Sequence, residues 1–194
     1  MVILKEPITN EIEINKSIFR CYLSYVSNQE EVKSFIQSIK KLNYDATHNC
    51  SAYVLGDAGE YGGSSDDGEP SKTAGVPMLE VLRKNHVTNI VAVVTRYYGG
   101  IKLGAGGLVR AYTKSVSETL KLSNLIPLKK YTRIQVVIPY PLLHEMETAL
   151  QNATILQRVF DASITLTVEL EQDLLDSIIS DIHNRSKGAA IIKK

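Results

Sequence analysis

Between Gly62 and Pro77 the sequence GGSSDDGEPSKTAGVP places Asp66, Asp67 and Glu69 within four positions, among glycines and prolines that favour a turn. Carboxylates gathered in this way could supply hard oxygen ligands to a divalent cation, with Mg²⁺ the candidate cofactor, and His48 could shuttle a proton beside them. Further along, TRYYGGIKLGAGGLVRAY presents Arg96, Lys102 and Arg110 around Gly99, Gly100, Gly104 and Gly107, with no acid in the segment. A glycine loop that opens a helix converges backbone N–H groups at the helix's positive end, so this second segment is a candidate phosphate or nucleic-acid backbone site. One loop is written for positive charge and the other for negative.

Each motif also has a plain structural reading. The acidic loop lacks the spacing of a calcium-binding loop, and its carboxylates could instead accept backbone N–H bonds or pair with Arg96 or Arg110. The basic loop has neither the GK[ST] ending of a phosphate-binding P-loop nor dinucleotide-fold glycine spacing, and its glycines could serve close helix-on-sheet packing. His48 and Cys50 would share one face of a strand, which is too few ligands for zinc. A Cys50 nucleophile with His48 as base is the sharper alternative, against a cysteine that is simply a small buried hydrophobe. Tyr97 and Tyr98 could stack bases, or one could belong to the core.

The elements that must carry these loops follow from periodicity. EIEIN and SIFRCYLSYV read as a hairpin turning at Asn15 and Lys16. Val32, Phe35, Ile36, Ile39 and Leu42 recur at helical spacing, HNCSAYVL reads as a strand, and Pro77 suits the first turn of a short helix. NIVAVVTRYY is a strand buried on both faces, and the helix after the glycine loop carries Leu108, Ala111, Tyr112, Ser115, Val116 and Leu120 along one side. After the break at SNLIPLK the order becomes βαββαβ, the ferredoxin-like plan. The expectation is an α+β protein with one domain over residues 1–126 and a second over 127–194.

Net charge is only +1 over 194 residues, so any attraction to polyanions must be local. Residues 57 to 80 hold six acids and one base, Lys72, whereas residues 81 to 117 hold Arg83, Lys84, Arg96, Lys102, Arg110 and Lys114 and no acid. Two cysteines without paired spacing, no secretory leader pattern and no long apolar run point to a reduced, cytoplasmic protein with no membrane partner.

The strings THNCSAY, SSDDGEPSKTAGVPML and VVTRYYGGIKLGAGGLVRAY, in that order, resemble the uncharacterised family that includes bacterial YigZ and eukaryotic IMPACT. The resemblance implies an N-terminal domain similar to ribosomal protein S5 domain 2 and a C-terminal ferredoxin-like domain similar to one in elongation factor G. For function it implies a nucleic-acid- or ribosome-binding protein linked to translation regulation, with RNA or the ribosome as partner; the C-terminal sheet would be a second surface, for RNA or for protein partners. The family motif positions here are His48, Asp66, Asp67, Glu69, Arg96, Gly99, Gly100, Gly104, Gly107 and Arg110, and no catalytic role comes with them. Two alternatives stay open: a metal-dependent phosphoryl-transfer or hydrolytic enzyme using the acidic loop, and a protein-interaction adaptor.

Overall fold

Asn15 and Lys16 both take positive φ, 48° and 62°, the backbone that a two-residue hairpin turn demands. They join β2 (Ile8–Ile14) to β3 (Ser17–Tyr25) in antiparallel register, with Ile14 opposite Ser17. The computed structural model describes residues 1–193, and the chain forms two compact units, Met1–Leu128 and Lys129–Lys194.

In the first unit, β2 and β3 extend through β6 (Ile90–Tyr97), β4 (His48–Leu55) and β5 (Tyr61–Ser65) into a five-stranded antiparallel sheet of order β2-β3-β6-β4-β5. Strand β6 is central and buried from Ile90 to Arg96. Because side chains alternate across a strand, its residues divide between two cores. Ile90, Ala92 and Val94 pack with Phe19, Met78, Leu82, Tyr112 and Leu120, beneath α2 (Gly75–Lys84) and α3 (Gly104–Leu122). Val91 and Val93 pack with Tyr22, Val26, Val32 and Ile39 beneath α1 (Gln29–Leu42).

The spacing that predicts α1 is met at Val32 and Ile39, while Leu42, at the helix end, is exposed. Asn28 caps α1 by accepting the Glu31 N–H, and Glu31 returns bonds to Ser27, so orphan donors at the helix start are satisfied. A two-stranded pair, β1 (Val2–Leu4) with β7 (Leu125–Pro127), ties the end of this unit to its beginning. The Leu128 N–H donates to the Met1 carbonyl at 3.1 Å.

The second unit runs β8 (Tyr131–Ile138), α4 (Leu143–Ala149), β9 (Thr154–Phe160), β10 (Ile164–Glu171), α5 (Leu175–Ser186) and β11 (Ile191–Lys193). Its antiparallel sheet has the order β11-β8-β10-β9, which is the ferredoxin-like arrangement that the βαββαβ pattern predicts. Ile134, Val136 and Ile138 alternate with exposed or half-buried residues and meet Leu166, Val168, Met146 and Ile182 in the core. On the other face of the sheet Arg133 pairs with Glu169 directly across from it, and Lys129 pairs with Glu171. The fold is α+β, as its sequence pattern predicts, and no described helix is long and apolar enough to cross a membrane.

Candidate functional site

The acidic loop begins where β5 ends. Asp67 and Gly68 both have positive φ, 43° and 87°, and the Glu69 N–H donates to the Asp66 carbonyl at 2.9 Å, closing a tight turn of the type Asp-Gly favours. This geometry sends the three acids in three directions, and each finds its own partners.

Asp66 turns toward the start of α2. Its Oδ1 accepts the N–H groups of Ala74 and Gly75 at 3.0 and 2.9 Å, and Oδ2 accepts that of Lys72 at 2.8 Å. Ala74 gives α2 no side-chain cap, so Asp66 supplies from upstream what a cap residue would. Desolvation pushes its carboxyl up, but the three N–H donors outweigh that and hold it below its ordinary value.

Asp67 turns toward α1 and β4, accepting the Asn49 N–H at 2.7 Å and the Lys40 ammonium. Desolvation again opposes ionisation, and Lys40 and Asn49 reverse it. The Asp67 carbonyl lies 2.8 Å from His48 Nδ1. A carbonyl only accepts, so Nδ1 carries a proton and the ring's orientation is fixed with Nε2 toward Glu69.

Glu69 turns inward and is almost wholly buried. Its Oε1 accepts from Arg96 Nη1 at 2.7 Å and from the Tyr112 hydroxyl at 2.8 Å, and its Oε2 lies 3.8 Å from His48 Nε2. Arg96 stands opposite His48 in the sheet register. Its guanidinium carbon lies 5.5 Å from the Phe19 ring centroid and 5.4 Å from that of Tyr98, while its Nε is buried with no hydrogen-bond partner. Phe19 also meets Tyr112 edge-on at 5.3 Å, a contact worth about 0.5–1.5 kcal/mol beyond its burial. Thus β6 and α3 each donate to one carboxylate, His48 of β4 stands beside it, and Phe19 of β3 packs against both donors.

Cys50 joins this network without being activated by it. Its Sγ lies 3.0 Å from the Asp66 carbonyl and 3.3 Å from the Tyr112 hydroxyl. Burial pushes the thiol up to about 12, the opposite of what a nucleophile needs. Burial, Cys50 and Glu69 likewise push the Tyr112 phenol far above its ordinary range. Nor does the donor set fit a divalent cation. Among the described residues no three His, Cys, Asp or Glu side chains stand together to hold one, and both oxygens of Asp66 and both of Asp67 are taken by protein donors.

The glycine loop follows β6. Gly99 packs against the hairpin turn, where a Cβ would lie 1.9 Å from the Lys16 carbonyl oxygen, and its N–H donates to Ser17 Oγ at 3.2 Å. Gly100 and Gly104 have φ of 84° and 65° with open space around the would-be Cβ. Gly104, Gly106 and Gly107 form the first turn of α3, whose cap position, Leu103, makes no side-chain cap bond. Lys102 and Arg110 flank that turn, exposed.

A cavity of about 230 Å³ opens beside this turn, lined by Pro70, Tyr98, Leu103 and Leu108, together with Glu69, Arg96 and Lys102. His48, Asp66 and Asp67 do not line it. Of the tyrosine pair, Tyr97 is tied to Asn43 and Asp45 through its hydroxyl, and Tyr98 is the exposed one. Sequence patterning placed Tyr112 on the buried side of α3 but gave no sign that its hydroxyl seats Glu69. The Asp67-Gly68 dipeptide was the available signal that the acids lie on a tight turn and diverge.

Residues 15–120 match the Impact N-terminal domain family. The chain is 51% identical over 153 residues to IMPACT family member YvyE of Bacillus subtilis, covering 79% of this chain and 70% of that one. An IMPACT family member of Haemophilus influenzae is 36% identical over 193 residues, 97% of this chain and 94% of its own. A crystal structure described as a hypothetical protein superposes with a TM-score of 0.67 at 35% identity, covering 98% of this chain and 95% of the other. With the His48, Asp66–Glu69 and Arg96–Arg110 segments inside the matched span, the chain belongs to the IMPACT family.

Proposed function

We propose that this protein is an RNA- or ribosome-associated factor linked to translation regulation, holding phosphate backbone at the glycine-rich start of α3. The observation that carries the reading is an asymmetry of pairing. The three acids of the loop each pair with internal partners, whereas Arg83, Lys84, Lys102, Arg110 and Lys114 are exposed and make no ion pair among the described residues. The carboxylates that would repel a phosphate chain are thereby withdrawn, and the surface around α2 and α3 keeps a local positive field despite a net charge of +1.

Arg110 and Lys114 are one turn apart on α3, about 6 Å along its axis, in line with the uncapped N–H groups of its first turn. Such contacts hold phosphate without reading sequence. Gly99, Gly100, Gly104 and Gly107 let the backbone take the path that exposes those groups, and Arg96 acts from behind through its pair with Glu69. The link to translation rests on the family resemblance.

The test is fluorescence anisotropy of labelled RNA across a salt series, comparing wild type with Lys102→Ala/Arg110→Ala/Lys114→Ala. Binding should weaken steeply with salt, and the triple variant should reduce the logarithmic slope by about two for a single strand. Equal slopes in the two proteins would overturn the reading.

A protein-adaptor role is favoured by a separate observation. Edge strand β9 exposes Leu156, Val159 and Phe160 along an unpaired ladder, the kind of edge that accepts an added strand. Substitutions on β9 that abolish partner capture while leaving RNA affinity intact would separate the two roles.

A further inference from the structure

A site built only for phosphate would be walled by donors, yet the cavity beside α3 is walled mainly by Pro70, Leu103 and Leu108, with Tyr98 at 46% exposure among its lining. Its volume of about 230 Å³ is below the roughly 300–1,000 Å³ of sites for drug-sized ligands, so it suits one flat ring system. Its polar lining combines an acceptor, Glu69, with the donors Arg96 and Lys102. Arg96 is 6% exposed, and its Nε lacks a partner, a desolvated donor that the protein itself leaves unsatisfied. A nucleobase matches this set: a π face for Tyr98 and an edge bearing both donors and acceptors.

The phosphate attached to that base would fall to Lys102 and the uncapped turn at Gly104, which share the same cavity wall. A base held in a duplex keeps its faces stacked and cannot enter. We infer that this cavity holds one unpaired nucleobase against Tyr98, which makes the ligand single-stranded. This rests on the phosphate-binding reading above and specifies which nucleic acid that surface takes.

The experiment uses the intact chain and a single-stranded oligoribonucleotide carrying 2-aminopurine, with the same sequence as a duplex and the four free mononucleotides as competitors. The single strand should bind with a change in 2-aminopurine emission. Tyr98→Ala should weaken that binding by about tenfold, Tyr98→Phe should restore most of it, and duplex affinity should be unchanged by either substitution. Circular dichroism confirms that the variants keep the fold.

If Tyr98→Ala binds the strand as wild type does, with its salt dependence intact, the base pocket is overturned and the phosphate track stands. If no strand binds at low salt, both fall. Displacement by a free mononucleotide at concentrations comparable to the strand supports the pocket and assigns it to a free nucleotide. Displacement only at far higher concentrations supports the pocket and assigns it to the strand.

Discussion

Arg96 Nη1 donates to Glu69 Oε1 at 2.7 Å, with the two side chains only 7% and 3% exposed. Removing one member of such a pair strands the other charge in the interior, at a cost of about 3–5 kcal/mol. Arg96→Ala and Glu69→Gln are each expected to destabilise the first unit on that scale. An Arg96→Met/Glu69→Leu double variant should recover most of the loss, because no buried charge remains. Urea unfolding of the three variants checks this, and an Arg96→Ala cost under about 1 kcal/mol would contradict it. For the same reason Arg96→Ala cannot serve as a clean binding variant, since it unsettles the loop as it removes the base.

The acid sensitivity of the fold should trace to the turn. Asp66 and Asp67 are held below their ordinary value of 3.8 because N–H donors and Lys40 outweigh desolvation. A carboxyl whose folded pKa is depressed contributes stability that is present above its unfolded pKa and lost as pH falls through the folded one. Stability should therefore drop as pH is lowered from about 4. Asp66→Asn should reduce stability at pH 7 and flatten that acid limb. Thermal unfolding followed at a series of pH values reads both effects, and an unchanged limb in the variant would rule out Asp66 as a source.

Much of this was legible in the residues, and the exceptions have physical causes. The Asn15-Lys16 turn, β4, β6 and α3 carry strong periodicity or turn chemistry, and the second unit's βαββαβ order is plain from alternating apolar runs. Strands β1 and β7 leave no mark in the sequence pattern, because three residues carry no period and their pairing joins opposite ends of the unit. Strand β5, reading YGGSS, has a composition that argues against a strand and is held by its ladder with β4. At the site, residue types were legible and directions were not. Arg96 reads as a base in any scan, yet the alternation that puts Ala92 and Val94 on the α2/α3 face also puts Arg96 there, so its burial was implicit in β6. Nothing in the sequence says that Asp66 reaches the α2 start, because that depends on how one turn closes.

Cys50 offers a direct check on the nucleophile reading. Burial pushes both Cys50 and Cys21 up to about 12, so at pH 8 the thiolate fraction is on the order of 1 in 10⁴. The native protein should label with iodoacetamide far more slowly than a free thiol, and both cysteines should label once urea unfolds the chain. Rapid native labelling of Cys50 alone would reopen a catalytic role.

The glycines of the basic loop should separate by function when each becomes alanine. At Gly99 a Cβ would sit 1.9 Å from the Lys16 carbonyl oxygen and 2.0 Å from its carbon, and both atoms belong to the hairpin backbone, which cannot yield without opening the β2–β3 turn. Gly99→Ala should therefore cost roughly 3 kcal/mol or more, beyond ordinary overpacking. At Gly100 a Cβ meets nothing within 4 Å, so only the left-handed backbone resists, at about 1–2 kcal/mol. Gly100→Ala should keep the fold with a modest loss of stability and become the informative variant for RNA binding, since its backbone faces open space. Urea midpoints of the two variants decide the matter: similar costs would mean that the loop yields at Gly99, and that the hairpin turn and the glycine loop are not the rigid pair their contact describes.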